Sequence, residues 1–288
     1  MKIVFYLNHN GRAKVIHDAV LQGLARHGRQ VTTRHPADFR KSGVEADIAI
    51  FYGLWDELRE IQRAYPKAGR TSILIDLGYW GRIEGGKLAG YHRVSVNALH
   101  ATGYFQRVKH PPDRFLRFGL EPRAFRRGGA HVLLCGMSGK AAWVYGLRPE
   151  QWERDAVEKL RFHSRVPREI RYRPKQSWKE ASPIAGAVFA PDKQLLGMDQ
   201  LNDCWALVTH HGNAALDALL AGVPVFCEEG LASVLAERDL ARINTPRYPS
   251  EAERDQLLFD AAWTQWKVSE IAAGEMWNYL AAESLIPW

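Results

Sequence analysis

The chain has 288 residues, of which 46% are hydrophobic and 25% charged. That length suits two domains, and the composition suits a globular protein rather than a disordered or fibrous one. No apolar run approaches the ~20 residues that cross a bilayer, and Met1–Asn8 turns polar too soon for a signal peptide. Three cysteines, Cys135, Cys204 and Cys227, form no CxxC pair. They read as buried thiols in a reducing, cytoplasmic setting, without a disulfide framework or zinc module.

Charge carries more information than composition. Lys and Arg number 39 against 32 Asp and Glu, a net +7. Ten basic residues and three acidic ones lie between Arg82 and Arg127, so this one stretch accounts for the whole excess. A concentrated basic face suits a polyanion, either nucleic acid or a phosphorylated ligand, and a solvated surface without a partner explains it equally well.

In chain order, Lys2–Leu7 is an apolar, β-branched run that ends in the Asn8-His9-Asn10-Gly11 turn. Val15, Ile16, Ala19, Val20, Leu21 and Leu24 follow on a helical period that closes near Gly28. Strands are predicted at Val31–Thr33, Asp47–Tyr52, Thr71–Leu77 and Arg93–Asn97, with a helix over Trp55–Ala64. Strands alternating with helices predict a parallel sheet covered on both faces. Residues 106–129 are rich in Pro, Gly and Arg and read as a linker or surface excursion. The pattern then restarts with strand His131–Cys135, the Gly136–Lys140 turn, helix Pro149–Phe162 and strand Glu169–Tyr172. Strand Cys204–Thr209, helix Ala214–Ala221 and strand Val223–Cys227 complete it, and Glu251–Trp288 reads as a helical, Trp-rich tail.

The sharpest segment is Ala206-Leu-Val-Thr-His-His-Gly-Asn-Ala-Ala-Leu-Asp-Ala-Leu-Leu-Ala-Gly-Val-Pro-Val-Phe226. A buried strand delivers a polar turn onto a helix start, with Asn213 placed as N-cap and Asp217 one turn in. This pattern resembles the nucleotide-sugar half of GT-B glycosyltransferases and their capsule-polysaccharide relatives. The resemblance implies an α/β fold of two Rossmann-like domains with a crevice between them and a C-terminal helical tail. It places an acceptor-side domain at 1–128, a nucleotide-sugar domain at 129–270, and a helix at 271–288 that crosses back to the first. It also implies that Thr209, His210, His211, Gly212 and Asn213 meet the donor's phosphates, while Asp217 meets the ribose. This family more often has Glu where Asp217 stands, which has a longer reach.

Gly136-Met-Ser-Gly-Lys140 fails the spacing of a P-loop. Under the resemblance it is the glycine loop of the donor site, with Ser138, Gly139 and Lys140 near phosphate; a plain tight turn is the alternative. Arg173 and Lys175 resemble the basic strand end that meets pyrophosphate in capsule-type relatives, Arg173 because its planar fork matches phosphate oxygens. In the first half Asp76 ends a strand, where α/β proteins place chemistry, and leads the catalytic candidates, with a plain strand-ending turn residue as the alternative. His9 is the second candidate, as base or helix cap, and His100 a distant third. Asn10, Gly11, Arg12, Arg82, Arg93, Arg107 and Arg114 are assigned to the acceptor or polyanion.

The chain contains no Asp-x-Asp, HExxH, GxSxG or Cys/His cluster, so no metal is expected. No cofactor is expected beyond a nucleotide-sugar donor, with a UDP-sugar the first choice. Ile75–Arg82 with Arg93–Asn97 resembles phage-encoded proteins of this type, which would act in the host cytoplasm. A hydroxymethylated DNA base is one acceptor, by resemblance to the DNA glucosyltransferases of T-even phages, and would have to be flipped out of the duplex. A nucleotide-sugar epimerase and a non-catalytic nucleic-acid-binding or nucleotide-binding protein are the two alternatives. No membrane partner is expected, and the oligomeric state is left open.

Overall fold

The computed structural model describes residues 1–288 other than Trp55, Lys87, Gln106, Arg107, Lys193 and Leu195, and only the backbone of Asp56, Tyr104 and Phe105. Two compact units form: one joins Met1–Ala101 with Ala261–Trp288, and the other is Thr102–Asp260. These divisions differ from the sequence-derived ones at 128/129 and 270/271.

The first unit opens with β1 (Ile3–Tyr6), α1 (Gly11–Ala25), β2 (Val31–Arg34), α2 (Phe39–Ser42), β3 (Ile48–Tyr52), α3 (Asp56–Lys67), β4 (Thr71–Leu77) and β5 (Tyr91–Val96). Strands β1 and β3 are buried throughout, as expected of sheet centres covered on both faces. On one face Ile16, Val20 and Leu24 of α1 pack against Phe5, Ile50 and Ile75. On the other, Leu58, Ile61 and Tyr65 of α3 meet Tyr6, Phe51 and Leu74. Each such side chain contributes ~1.5–3 kcal/mol by leaving water.

The second unit contains α4 (Thr102–Phe105), α5 (Asp113–Leu116), β6 (His131–Cys135), α6 (Gly139–Val144), α7 (Gln151–His163), β7 (Glu169–Arg173), β8 (Val188–Phe189), β9 (Cys204–Thr209), α8 (Ala214–Leu220), β10 (Val225–Cys227) and most of α9 (Glu251–Trp263). Its five strands run β10-β9-β6-β7-β8, all parallel. The first strand, β6, is therefore central, and the chain winds outward from it in both directions. Val132, Leu134, Ala156, Leu160, Tyr172, Val208 and Phe226 belong to its core.

Back in the first unit lie β11 (Gln265–Lys267), α10 (Val268–Ala273) and α11 (Glu275–Ala282). The first sheet has the order β11-β5-β4-β3-β1-β2. Two features depart from expectation. Strand β5 runs antiparallel to β4, pairing Ile75 with Val94 and Asp76 with Arg93; the described residues between Leu77 and Tyr91 form turns and bends rather than the crossover helix that usually joins a parallel pair. The tail is also not wholly helical, because β11 adds antiparallel to β5. Its Gln265 is fully buried, and Oε1 accepts the Tyr79 N–H at 2.7 Å and the Trp80 N–H at 3.3 Å. Among the described residues, no helix is long and apolar enough to cross a membrane.

The basic excursion is also more structured than a linker. It carries α5, and His110, Arg114 and Phe115 within it are buried. Backbone of 121–127 lacks a ladder but is tied to the end of α8, where the Arg123 N–H donates to the Leu220 carbonyl at 2.8 Å and the Arg126 N–H to the Gly222 carbonyl at 3.0 Å. Arg126 donates to the carbonyls of Leu201, at 2.7 Å, and Asn202; Arg123 donates to Asn202 Oδ1 at 3.2 Å. Arg127 lies 5.0 Å over the Tyr248 ring, and Arg254 donates to the Arg123 carbonyl. These arginines act as internal ties, so the excess charge is not one open basic face. Arg82 and Arg93 belong to the first unit and Arg114 to the second.

Candidate functional site

Open parallel sheets bind ligands outside the carboxyl ends of their strands, where the strand order reverses direction. In the second unit that point falls between β6 and β9. Registers are matched there: Cys135 pairs with Arg173 on one side and with Thr209 on the other, and Thr209 pairs with Cys227. Four strands therefore end level, and the residues that follow them share one edge. This edge gathers Ser138, Gly139 and Lys140 after β6, Arg173 at the end of β7 with Lys175 after it, and His210–Asn213 after β9.

Local hydrogen bonds shape each loop. Thr209 Oγ1 donates to the Cys135 carbonyl at 3.0 Å and accepts the Gly212 N–H at 3.2 Å, binding strand end to turn. A Cβ on Gly212 would lie 2.8 Å from that oxygen, so glycine permits the approach. Ser138 caps α6 by accepting the Ala141 N–H at 3.2 Å. Asn213 does not cap α8 as the sequence suggested. Its backbone is already helical, at φ −61° and ψ −22°, and its side chain makes no capping bond. Asp217 is half-buried one turn further along. Arg173 donates to the Gln194 carbonyl at 2.5 Å and lies 3.8 Å from Asp192, while Lys140 and Lys175 are exposed.

The same edge contains residues that sequence reasoning missed. Tyr145 packs at a tilt against His210 and His211, with ring centroids 4.3 and 4.8 Å away, and Trp152 meets His210 edge-on at 5.7 Å. His210 and His211 approach at 3.1 Å between Nδ1 atoms. Glu228, just past β10, accepts the Trp152 indole N–H at 2.6 Å and lies 3.7 Å from His210 Nε2. Burial lowers the His210 pKa, while Glu228 and Glu229 oppose that shift. Beneath the Gly136 turn Glu153 is fully buried and accepts the Met137 N–H at 2.7 Å. Burial raises its carboxyl pKa, and its Oε2 and the nearby Tyr172 hydroxyl make no hydrogen bond.

Among the sequence candidates of the first unit, Asp76, Arg93 and Arg12 meet around Tyr52 and His92. Asp76 accepts from Arg93 at 3.1 Å and from the Leu77 N–H at 2.8 Å. Arg12 hydrogen-bonds Tyr52, whose hydroxyl burial and the Asp76 charge push up to about 12. His92, on β5, is fully buried; its Nδ1 lies 2.9 Å from the Gly90 carbonyl. Burial pushes its pKa down to about 4. Asn10 caps α1, accepting from the Arg12 and Ala13 N–H groups, so its side chain is engaged. His9 is exposed beside His35, at 5.4 Å between rings, and Gly11 begins α1 with open space around it. Arg82 donates to the Gly78 carbonyl at 2.6 Å, Arg114 is buried, and Arg107 lies outside the described residues.

Two α/β units, one wholly parallel and wound both ways from its first strand, define a GT-B-like fold. Solved structures bear this out in two cases. The β-Kdo 2,7 transferase of Thermosulfurimonas dismutans KpsC superposes with a TM-score of 0.53 at 11% identity, over 97% of this chain and all of the other. The β-Kdo 2,4 transferase of the same KpsC gives 0.50 at 11% identity, over 94% and 98%. A proposed UDP-N-acetylglucosamine 2-epimerase from Listeria monocytogenes is more distant, at 0.34 and 11%, over 98% and 95%. No protein-family model and no curated protein matches the sequence.

Proposed function

We propose that the chain is a glycosyltransferase that moves a sugar from a nucleotide-sugar donor to an acceptor hydroxyl. The observation that carries this reading is the level ending of β6, β7 and β9. It sets Ser138, Gly139, Lys140, Arg173, Lys175 and Thr209–Asn213 along one sheet edge, at the reversal of strand order. Donor phosphates would be met there by backbone N–H groups and cationic side chains, with Asp217 accepting from ribose hydroxyls. As the bond from the anomeric carbon to the phosphate oxygen breaks, its electron pair stays on phosphate. The acceptor oxygen forms the new bond and gives its proton to a general base. Asp76, 3.1 Å from Arg93, is the proposed base, and His9 is the alternative.

The acceptor we favour is a phosphorylated saccharide, since Arg93, Arg114, Arg123 and Arg126 are engaged or buried. Hydroxymethylated DNA is the second choice, because it asks for a longer run of available cations.

Thermal shift with UDP, GDP, CMP and dTDP tests the donor site. A ligand at a hundred times its dissociation constant stabilises the fold by ~2.7 kcal/mol. One nucleotide should raise Tm clearly, and EDTA should leave the shift unchanged if no metal bridges the phosphates. No shift with any of the four would refute the reading. Labelled sugar offered to phosphorylated saccharides and to hydroxymethylated DNA then separates the acceptors.

A further inference from the structure

Helix α7 carries an acid where its own period asks for a hydrocarbon. Glu153, Ala156, Val157 and Leu160 are buried and fall at i, i+3, i+4 and i+7, the spacing of a core-facing stripe. Glu153 is 0% exposed, and its carboxyl reaches the turn that leads from β6 into the loop of the proposed donor site. Two successive N–H groups of that turn are held from within. Gly136 donates to the Arg173 carbonyl at 3.0 Å and Met137 to Glu153 Oε1 at 2.7 Å. A Cβ on Gly136 would lie 3.1 Å from that oxygen and 2.8 Å from the Tyr172 ring. Glycine thus brings the loop backbone against the carboxyl with no side chain of its own between them.

The surroundings of this carboxyl suit its neutral form. Oε1 has the Met137 N–H, whereas Oε2 has no hydrogen-bond partner and neither has the Tyr172 hydroxyl on β7. A carboxylate with one oxygen unpartnered in the core is far costlier than a carboxylic acid. The charged groups facing Glu153 from its own helix are Glu150 and Arg154. They pair with each other at 2.8 Å, and Glu150 also accepts from Ser182. Burial raises the Tyr172 phenol, and it pushes the Cys135 thiol at the end of β6 up to about 12, so both are neutral at ordinary pH. Burial is likewise the largest influence on Glu153 and raises it, against the Met137 N–H and its own.

We propose that Glu153 is a proton-linked positioning residue of the donor site. Uncharged, it holds the Met137 N–H and leaves the loop above open to phosphate. Ionised, it sets a like charge beneath that phosphate. Nucleotide binding then takes up a proton from solvent, which bonds a Glu153 carboxylate oxygen in whatever fraction of the protein had lost it. This coupling rests on the donor-site reading above.

Carbon-13 NMR of the Glu153 side-chain carboxyl in the full-length protein follows this proton directly. In the free protein the titration midpoint should lie above the ordinary 4.5. With whichever of UDP, GDP, CMP and dTDP raises Tm most, the midpoint should move up by about one pH unit, the tenfold effect of a like charge at a partly solvated edge. Affinity for that nucleotide should fall as pH rises from the free midpoint to the bound one. The fall should be about tenfold greater in wild type than in Glu153→Gln, which keeps the acceptor for the Met137 N–H and cannot ionise. A Glu153 that only supports the fold would change the stability of E153Q and leave the midpoint the same with and without nucleotide. That result, or a free-protein midpoint at or below 4.5, overturns the role of Glu153 and leaves the donor site standing. Absence of binding by all four nucleotides overturns the donor-site reading instead. If E153Q does not fold, the two wild-type midpoints decide.

Discussion

At the scale of single residues, two buried ionisable groups make opposite demands on pH. His92 has its pKa depressed from 6.5 to about 4, so its contribution to stability is present above 6.5 and is lost as pH falls toward 4. The difference of 2.5 units amounts to ~3 kcal/mol. Replacement by Asn, which can still donate to the Gly90 carbonyl, should extend stability into acid; equal acid-unfolding midpoints for H92N and wild type would contradict this. Glu153 is the reverse case. Its pKa is raised above 4.5, so its stabilising effect is full below that value and disappears as pH rises through the raised one. Glu153→Gln preserves the acceptor for the Met137 N–H. It should therefore raise Tm at pH 8 relative to wild type, by about 2–4 °C for each kcal/mol, with little gain at pH 4. Neither group was legible in the sequence, where His92 and Glu153 look like ordinary surface polars. Glu228 was hidden for a similar reason: its partners Trp152 and His210 are 76 and 18 positions away. The motif around His210 was legible because strand, turn and helix there are consecutive.

At the scale of elements, α1 and α10 approach so closely that one glycine decides the fit. A Cβ on Gly23 would lie 2.0 Å from the Ile271 carbonyl oxygen and 2.8 Å from the Trp277 indole nitrogen. Gly23→Ala should therefore destabilise the first unit by about 1–3 kcal/mol, despite the better helix propensity of Ala. Urea midpoints compare the two forms, and unchanged stability would mean the helices can part without cost. Most elements were readable because each is a contiguous run with its own period, from Ile3–Tyr6 to Val225–Cys227. Strand β11 was not. It is only three residues long, it stands between two helices, and it is defined by partners on β5 some 170 positions earlier. Its reason for being a strand lies outside its own sequence.

At the scale of the whole molecule, the first unit is assembled from two distant stretches of chain. Trp266, Ile271, Met276 and Trp277 are buried in the same core as Phe5, Ile50 and Ile75. Removal of residues 261–288 should therefore unfold the first unit, while the second, whose core draws on 132–243, persists. Limited proteolysis of the truncated protein should leave a resistant fragment close to 102–260. Survival of the N-terminal hundred residues instead would show that β11 and the helices after it are dispensable.

That same discontinuity imposes an order on biosynthesis. On the ribosome the first hundred residues emerge with the β5 edge of their sheet bare and one face of α1 uncovered. The strand and helices that complete them are translated only after the entire second unit. At about 5–20 residues per second the delay is on the order of ten seconds. The nascent sheet of the first unit is thus an unfinished intermediate while the second unit is translated, and the second unit is able to fold to completion before it.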